Sequence, residues 1–419
     1  MDKTNDRAMA CLGLLAVMIS AFGYAADVPV AVPVATKAAL EFHDHRELLW
    51  AVAQVLPIVI AGIVLFTGLG ARIRGACARL ARGRWFWTVT LFACAYLVLA
   101  AAITMPFSYY RDVADLRSWG EFGQSPTQWL VGELVSLVVK LVVAGLFIWI
   151  PYALIAKSPR KWWLYSGAAM IPIVFLVLAV LPVWVSPLTT TYRPLGDKAL
   201  LAKIEALAGR CGVPHIPVFI GGNEDTVVGL GPTNRVVFNE NIFKNETHDQ
   251  VEFTVGHELK HYIEGDNWKA LAIVTGILFA VFFLVDRLGR ALIAKSSSRI
   301  GFADLSDPAS LPLVVLIFGV FWLSVSPLFN LFARHIEFEA DRFGLELTHQ
   351  NYATASMFAG FASNHLHTAE WDTFQMTFYA THPSDGDRIR FANSYRPWAE
   401  GKPLVYGDIC KPASGDSNN

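Results

Sequence analysis

In the stretch VGHELKHYIEGD, residues 255–266, two histidines flank a glutamate at a spacing of four. On a helix, His257 and His261 lie one turn apart and project from one face. Two imidazoles so placed can share one zinc ion. Glu258, next to the first histidine, can take a proton from a water that zinc acidifies to a pKa of about 7. The chemistry is hydrolysis, with a peptide carbonyl as the target. Catalytic zinc takes three protein ligands plus water, so a third ligand is needed. Downstream, FARHIEFEADRFGLEL (residues 332–347) puts Glu337 and Asp341 four apart, on one helical face. Glu337 or Glu339 can complete the set. The plainer account is a polar helix entering a membrane at Trp268 and, later, an amphipathic helix with solvated charges. Each stretch alone fits that account; the pair together favours a metal site.

The local sequence supports a helix for the first motif. Thr247 followed by Gln250 has the form of a capping box, and Gly265 supplies a stop. Beyond it the chain is apolar. Of 419 residues, 54% are hydrophobic and 16% charged, below the roughly 25% charged of soluble domains. A net charge of −1 excludes a nucleic-acid binder, which needs a basic face. A bilayer core takes about 20 apolar residues as a helix. Six segments qualify: 48–70, 86–105, 129–156, 165–187, 268–285 and 311–333. A seventh, 9–26, is either a first span or a signal peptide. The expected fold is mainly α, with about seven transmembrane helices. A zincin-like α+β catalytic region is formed by two segments flanking a helical hairpin. The boundaries are 1–187 for the N-terminal spans, 188–267 for the HExxH region, 268–333 for the hairpin, and 334–410 for the segment bearing the third ligand. A disordered tail follows at 411–419.

Two crossings of the hairpin return the chain to the same side, so both polar regions share one face of the membrane. Loop charge assigns that face. Twelve basic residues (Arg72, Arg74, Arg79, Arg82, Arg84, Lys157, Arg160, Lys161, Arg287, Arg290, Lys295 and Arg299) lie in loops on one side. Four (Lys37, Arg46, Arg111 and Arg117) lie on the other. The Arg-rich side is expected in the cytoplasm, which puts the catalytic region on the periplasmic or lumenal side of a multi-pass protein, with a bacterial inner membrane as the expected host. Cys211 and Cys410 share that oxidising side, either as a disulfide or as two free thiols. Within the spans, Lys140 and Glu133 either face a chamber or pair between helices.

HELKH and EFEAD, with a two-span hairpin between them, resemble the type I CAAX prenyl endopeptidases and their bacterial relatives, which are integral-membrane zinc metallopeptidases. The stretch VSPLTTTYRPLGDKALLAKIEALAGRCGVP (185–214) and THPSDGDRIRF (381–391) are similar to further family elements. The resemblance covers residues 165–395. It implies one Zn2+ per chain on His257, His261 and Glu337, with Glu258 as general base. It also implies that Asp341 orients a ligand histidine through its second ring nitrogen, that His382 stabilises the oxyanion, and that Arg388 orders nearby acidic groups. Glu339 is then expected on a solvated face. Lys260 departs from the family's small residue and is expected to be solvated or snorkelling. The β-like runs 216–220 and 235–238 resemble the family's sheet, whose edge strand pairs with an extended peptide. The family's strand asparagine matches the NED stretch at 223–225 only loosely.

The expected partners are a peptide or membrane-protein substrate and the lipid bilayer. Family members of the CAAX type present their site to the cytosol, whereas loop charge turns this one outward, so processing of lipidated C-termini is kept as an alternative. A non-catalytic scaffold is the other alternative, and it leaves Glu258 without a role.

Overall fold

The computed structural model describes residues 28–410, except 189, 214, 223, 224, 241, 364 and 365. The 9–26 segment and the 411–419 tail lie outside the described residues. Among those described, six helices are long and apolar enough to cross a membrane. Four precede the catalytic region: α1 (Lys37–Phe66), α2 (Trp85–Ser118), α3 (Pro126–Lys157) and α4 (Trp162–Val185). A four-stranded sheet follows, built from β1 (Arg193–Pro194), β2 (Val218–Ile220), β3 (Thr226–Val228) and β4 (Arg235–Phe238), with α5 (Lys198–Arg210) after β1. Next come α6 (His248–Glu264), α7 (Asp266–Ile300) and α8 (Leu311–Thr348). The chain closes with α9 (Asn351–Phe361) and α10 (Asp385–Ser394).

The strand order is β1-β2-β4-β3; β2 and β4 are parallel and the other pairs antiparallel. β3 is therefore an edge strand. Arg235 on β4 donates to the Pro182 carbonyl at 2.7 Å, tying the sheet to the last span before it.

The basic loops meet at one end. Arg299 Nε donates to the Phe66 carbonyl at 3.1 Å, Arg74 pairs with Asp307, and Arg290 reaches both Asp286 and the Pro159 carbonyl. Lys140 is exposed on α3 and makes no ion pair among the described residues, so the structure does not support helix pairing as its role.

Two terminators position the catalytic helix. Thr247 and Gln250 form the reciprocal cap, at 3.3 Å and 2.7 Å. Gly265 ends the helix in the left-handed conformation, with φ +62° and ψ 44°, which costs glycine nothing. The chain then turns directly into α7. Val251, Val255 and Leu259, at a spacing of four, bury one face of α6 against Ile204, Val218, Phe238, Phe343 and Leu347. Each such side chain stabilises by about 1.5–3 kcal/mol. Phe343 and Leu347 belong to α8, which also meets α6 at Gly256 and Lys260 and runs unbroken from the membrane across residue 333 into the catalytic region.

The two helices touch backbone to backbone. A Cβ on Gly256 would lie 2.9 Å from Gly344 Cα, and one on Gly344 would lie 3.2 Å from the His257 nitrogen. Glycine at both positions lets the helices close to this distance.

The C-terminal segment is anchored to α8. Buried Glu346 accepts from the Val405 and Tyr406 nitrogens at 3.0 Å and 2.8 Å. Of the two alternatives for the cysteines, the structure has the bond: Cys211 is linked to Cys410. Glu339 was expected on a solvated face, and it is not there. It binds Arg342 at 2.6 Å and the Tyr406 hydroxyl at 2.7 Å, because the returning C-terminal segment covers that face.

Candidate metal centre

His257 and His261 project from α6 toward Glu337 on α8. One donor atom from each lies within 4.8 Å of the other two. The Nε2 atoms of the two rings are 3.2 Å apart. Glu337 Oε2 is 3.1 Å from His257 Nε2, and Oε1 is 3.7 Å from His261 Nε2.

The second ring nitrogen of each histidine faces a carboxylate. His257 Nδ1 is 3.0 Å from Asp341 Oδ1, and His261 Nδ1 is 2.7 Å from Asp266 Oδ2. A carboxylate only accepts, so each Nδ1 carries the proton and each Nε2 presents a lone pair. Two lone pairs and a carboxylate then converge with no proton between them, and the buried Glu337 Oε2 has no hydrogen-bond partner. A cation satisfies all three. Nitrogen and oxygen donors in this number suit zinc. Electrostatics agree. Burial pulls the His257 ring down, but the hydrogen bond to Asp341 and the negative charges of Glu337 and Asp341 outweigh it and hold its pKa up to about 10. The pocket therefore demands positive charge at this point, which a divalent cation meets more fully than a ring proton.

Arg388 on α10 donates through Nε to Asp341 Oδ2 at 2.8 Å and lies over the Phe358 ring, with Cζ 3.9 Å from its centroid. It thus fixes the carboxylate that fixes His257. Asp266 plays the same part for His261 and escapes a reading by motif, since it lies beyond the helix stop. Its only sequence signal is its place immediately after Gly265, where the turn brings it back over His261. Lys260 was expected to be solvated or snorkelling. It is only 2% exposed, with Nζ 2.9 Å from Asp266 Oδ2 and 3.3 Å from the Ile336 carbonyl, because α7 and α8 enclose that flank of α6.

Replacing Asp341 or Asp266 by asparagine should weaken metal binding about 10–100-fold. Competition against a calibrated chelator reads this directly. Unchanged affinity in both variants would mean that the two carboxylates do not orient the rings.

Glu258 is buried and lines a cavity shared with His257, His261, Glu337 and His382. Burial, ahead of the charges around it, pushes its carboxyl above the ordinary range. His382 Nε2 is 3.3 Å from Glu337 Oε2, and its Nδ1 is 3.0 Å from the Thr381 hydroxyl. Burial pulls the His382 ring below its ordinary value, which favours the neutral form at pH 7. Asp225, Thr226 and Val227, at the start of the edge strand, line the same cavity. Of the NED stretch, only Asp225 is among the described residues.

A helical bundle in the bilayer, a small sheet and this site define a membrane-embedded metallopeptidase. Residues 194–396 match the model of peptidase family M48, and residues 37–191 match that of the CAAX prenyl protease N-terminal region, described as five membrane helices. The chain belongs to peptidase family M48. It is 25% identical over 359 residues to the uncharacterized metalloprotease YhfN of Bacillus subtilis (strain 168), covering 84% of each chain. It is 22% identical over 319 residues to CAAX prenyl protease 1 of Saccharomyces cerevisiae, covering 70% of this chain and 69% of the yeast protein. Its fold is similar to the crystal structure of S. mikatae Ste24p, with a TM-score of 0.67 at 16% identity, covering 84% of this chain and 87% of that one.

Proposed function

We propose that the chain is a zinc endopeptidase that cleaves peptides or envelope proteins at the outer face of a bacterial inner membrane. One zinc ion per chain is held by His257, His261 and Glu337. The observation that carries this reading is the convergence of three metal-binding side chains on one point, with Glu258 beside it. Bound zinc supplies Lewis acidity, bringing a water toward a pKa of about 7 and polarising the substrate carbonyl. Glu258 takes the proton of the attacking water and passes it to the leaving amine. Its burial strengthens it as a base, because a general base works best with a pKa near the operating pH. His382, neutral at pH 7, donates an N–H to the developing oxyanion. The edge strand β3 holds the substrate backbone by main-chain pairing, in place of the Asn267 side chain that donates to its Val227 carbonyl at 3.2 Å. Asp341, Arg388 and Asp266 hold the two histidines in the tautomer that leaves Nε2 free.

The sign of the pH dependence follows from Glu258. A carboxyl raised by burial is protonated, and useless as a base, at pH values where an exposed glutamate is already ionised. Activity should therefore fall as pH drops through a midpoint above about 4.3, the ordinary glutamate value. A profile of kcat/KM against pH with its acidic limb at or below that value would contradict the assignment.

The outward orientation rests on the basic loops gathered at the end away from the metal site, and on the Cys211–Cys410 bond, which an oxidising compartment permits. Processing of lipidated C-termini is the alternative; it draws on the relatives named CAAX prenyl proteases and needs a cytosolic site. A cysteine at exposed position 244 separates the two. In intact cells, a membrane-impermeant maleimide should label Lys244→Cys from outside. Labelling only after permeabilisation would move the site to the cytosol and favour the alternative.

A further inference from the structure

A second cavity, of about 280 Å³, opens beside the metal centre on the side away from the membrane hairpin. Glu258, His257 and His382 line it. Phe253, Met357, Phe358 and Phe361 form an apolar wall, and Asp225 and Glu246 lie on the polar side. Asp225 Oδ1 accepts the Asn239 N–H at 2.8 Å. The Glu246 carboxylate has no hydrogen bond and no ion pair among the described residues. Arg388 also lines the cavity, but its charge is met by Asp341.

We propose that this cavity receives the side chain of the substrate residue that follows the scissile bond, and that it selects lysine or arginine there. The inference rests on the peptidase reading above. An apolar wall and two carboxylates in one cavity match a long alkyl stem with a cationic head. Burial pushes the Asp225 carboxyl up; at Glu246 burial does the same, and the charge of Asp225 adds to it. A cation placed between the two relieves both.

The position along the substrate follows from strand direction. Asp225 immediately precedes β3, whose outer edge faces the site and carries the Asn267 side chain, which donates to the Val227 and Gly229 carbonyls at 3.2 Å and 2.9 Å and is displaced by a pairing peptide. A peptide pairing antiparallel, the more stable arrangement, runs from the Val228 end toward the Asp225 end. Its C-terminal part therefore passes over the acidic cavity.

The test uses the full chain, zinc-loaded and reconstituted in liposomes, against a peptide library read by mass spectrometry. Lysine or arginine directly after the cleaved bond should be favoured over norleucine or glutamine by about tenfold or more in kcat/KM, the scale of one partly buried charge pair. Glu246→Lys should reverse the preference toward aspartate and glutamate, and Asp225→Asn should flatten it. Cleavage by the wild-type chain without basic enrichment at that position overturns the subsite and leaves the peptidase reading standing. Failure of the zinc-loaded wild-type chain to cleave any peptide overturns the peptidase reading and the subsite with it.

Discussion

Replacing Glu258 by glutamine should lower kcat by roughly 10²–10⁴-fold, the usual contribution of a positioned general base, and leave the metal in place. Glutamine keeps the volume of the buried side chain but cannot accept a proton. The three side chains that converge on the metal point do not include Glu258, so metal content should match the wild type. Elemental analysis and steady-state kinetics on the same preparation give both numbers. Loss of metal together with activity would make Glu258 part of the metal site. Retention of activity would remove the base from the mechanism, and retention of cellular function without proteolysis would point to a scaffold.

Gly256→Val should have an effect of similar size by a different route. Even an alanine Cβ at position 256 would meet Gly344 Cα at 2.9 Å, backbone against backbone, with no flexible side chain to yield. The helices must part. Overpacking of this kind costs about 1–3 kcal/mol, and here the cost falls between His257 on one helix and Glu337 on the other. The expected result is a folded membrane protein that no longer holds metal and no longer cleaves peptide. The measurements are metal content and activity, alongside size-exclusion behaviour in detergent as the control for folding. A Gly256→Val chain with full metal content would show that the close approach of the helices does not set the site.

Much of the architecture was legible because its signals are local. Six long apolar stretches, a capping box at Thr247 and a stop at Gly265 each lie within a few turns of chain. The spacing of His257 and His261 needs only helical geometry. Glu337 was harder, since Glu339 competed with it. The structure separates them by facing Glu337 toward α6 and Glu339 toward Tyr406. The residues that escaped depend on packing that no periodicity records. Asp266 reaches His261 only because the chain reverses at Gly265. Lys260 is buried because α7 and α8 close over it, so its charge is met by Asp266 rather than by water. Gly256 and Gly344 look unremarkable in sequence, and their role appears only when two helices 88 positions apart in the chain meet at the backbone.

The central claim is that a catalytic-region helix and a membrane-spanning helix together hold one divalent cation. Metal stoichiometry of the purified full chain tests it most directly. The account predicts about one equivalent of zinc per chain in the wild type, and none in variants lacking the His257 imidazole or the Glu337 carboxylate. A wild-type chain that cleaves peptide with no bound metal, or a Glu337→Ala chain that keeps its full equivalent, would contradict it.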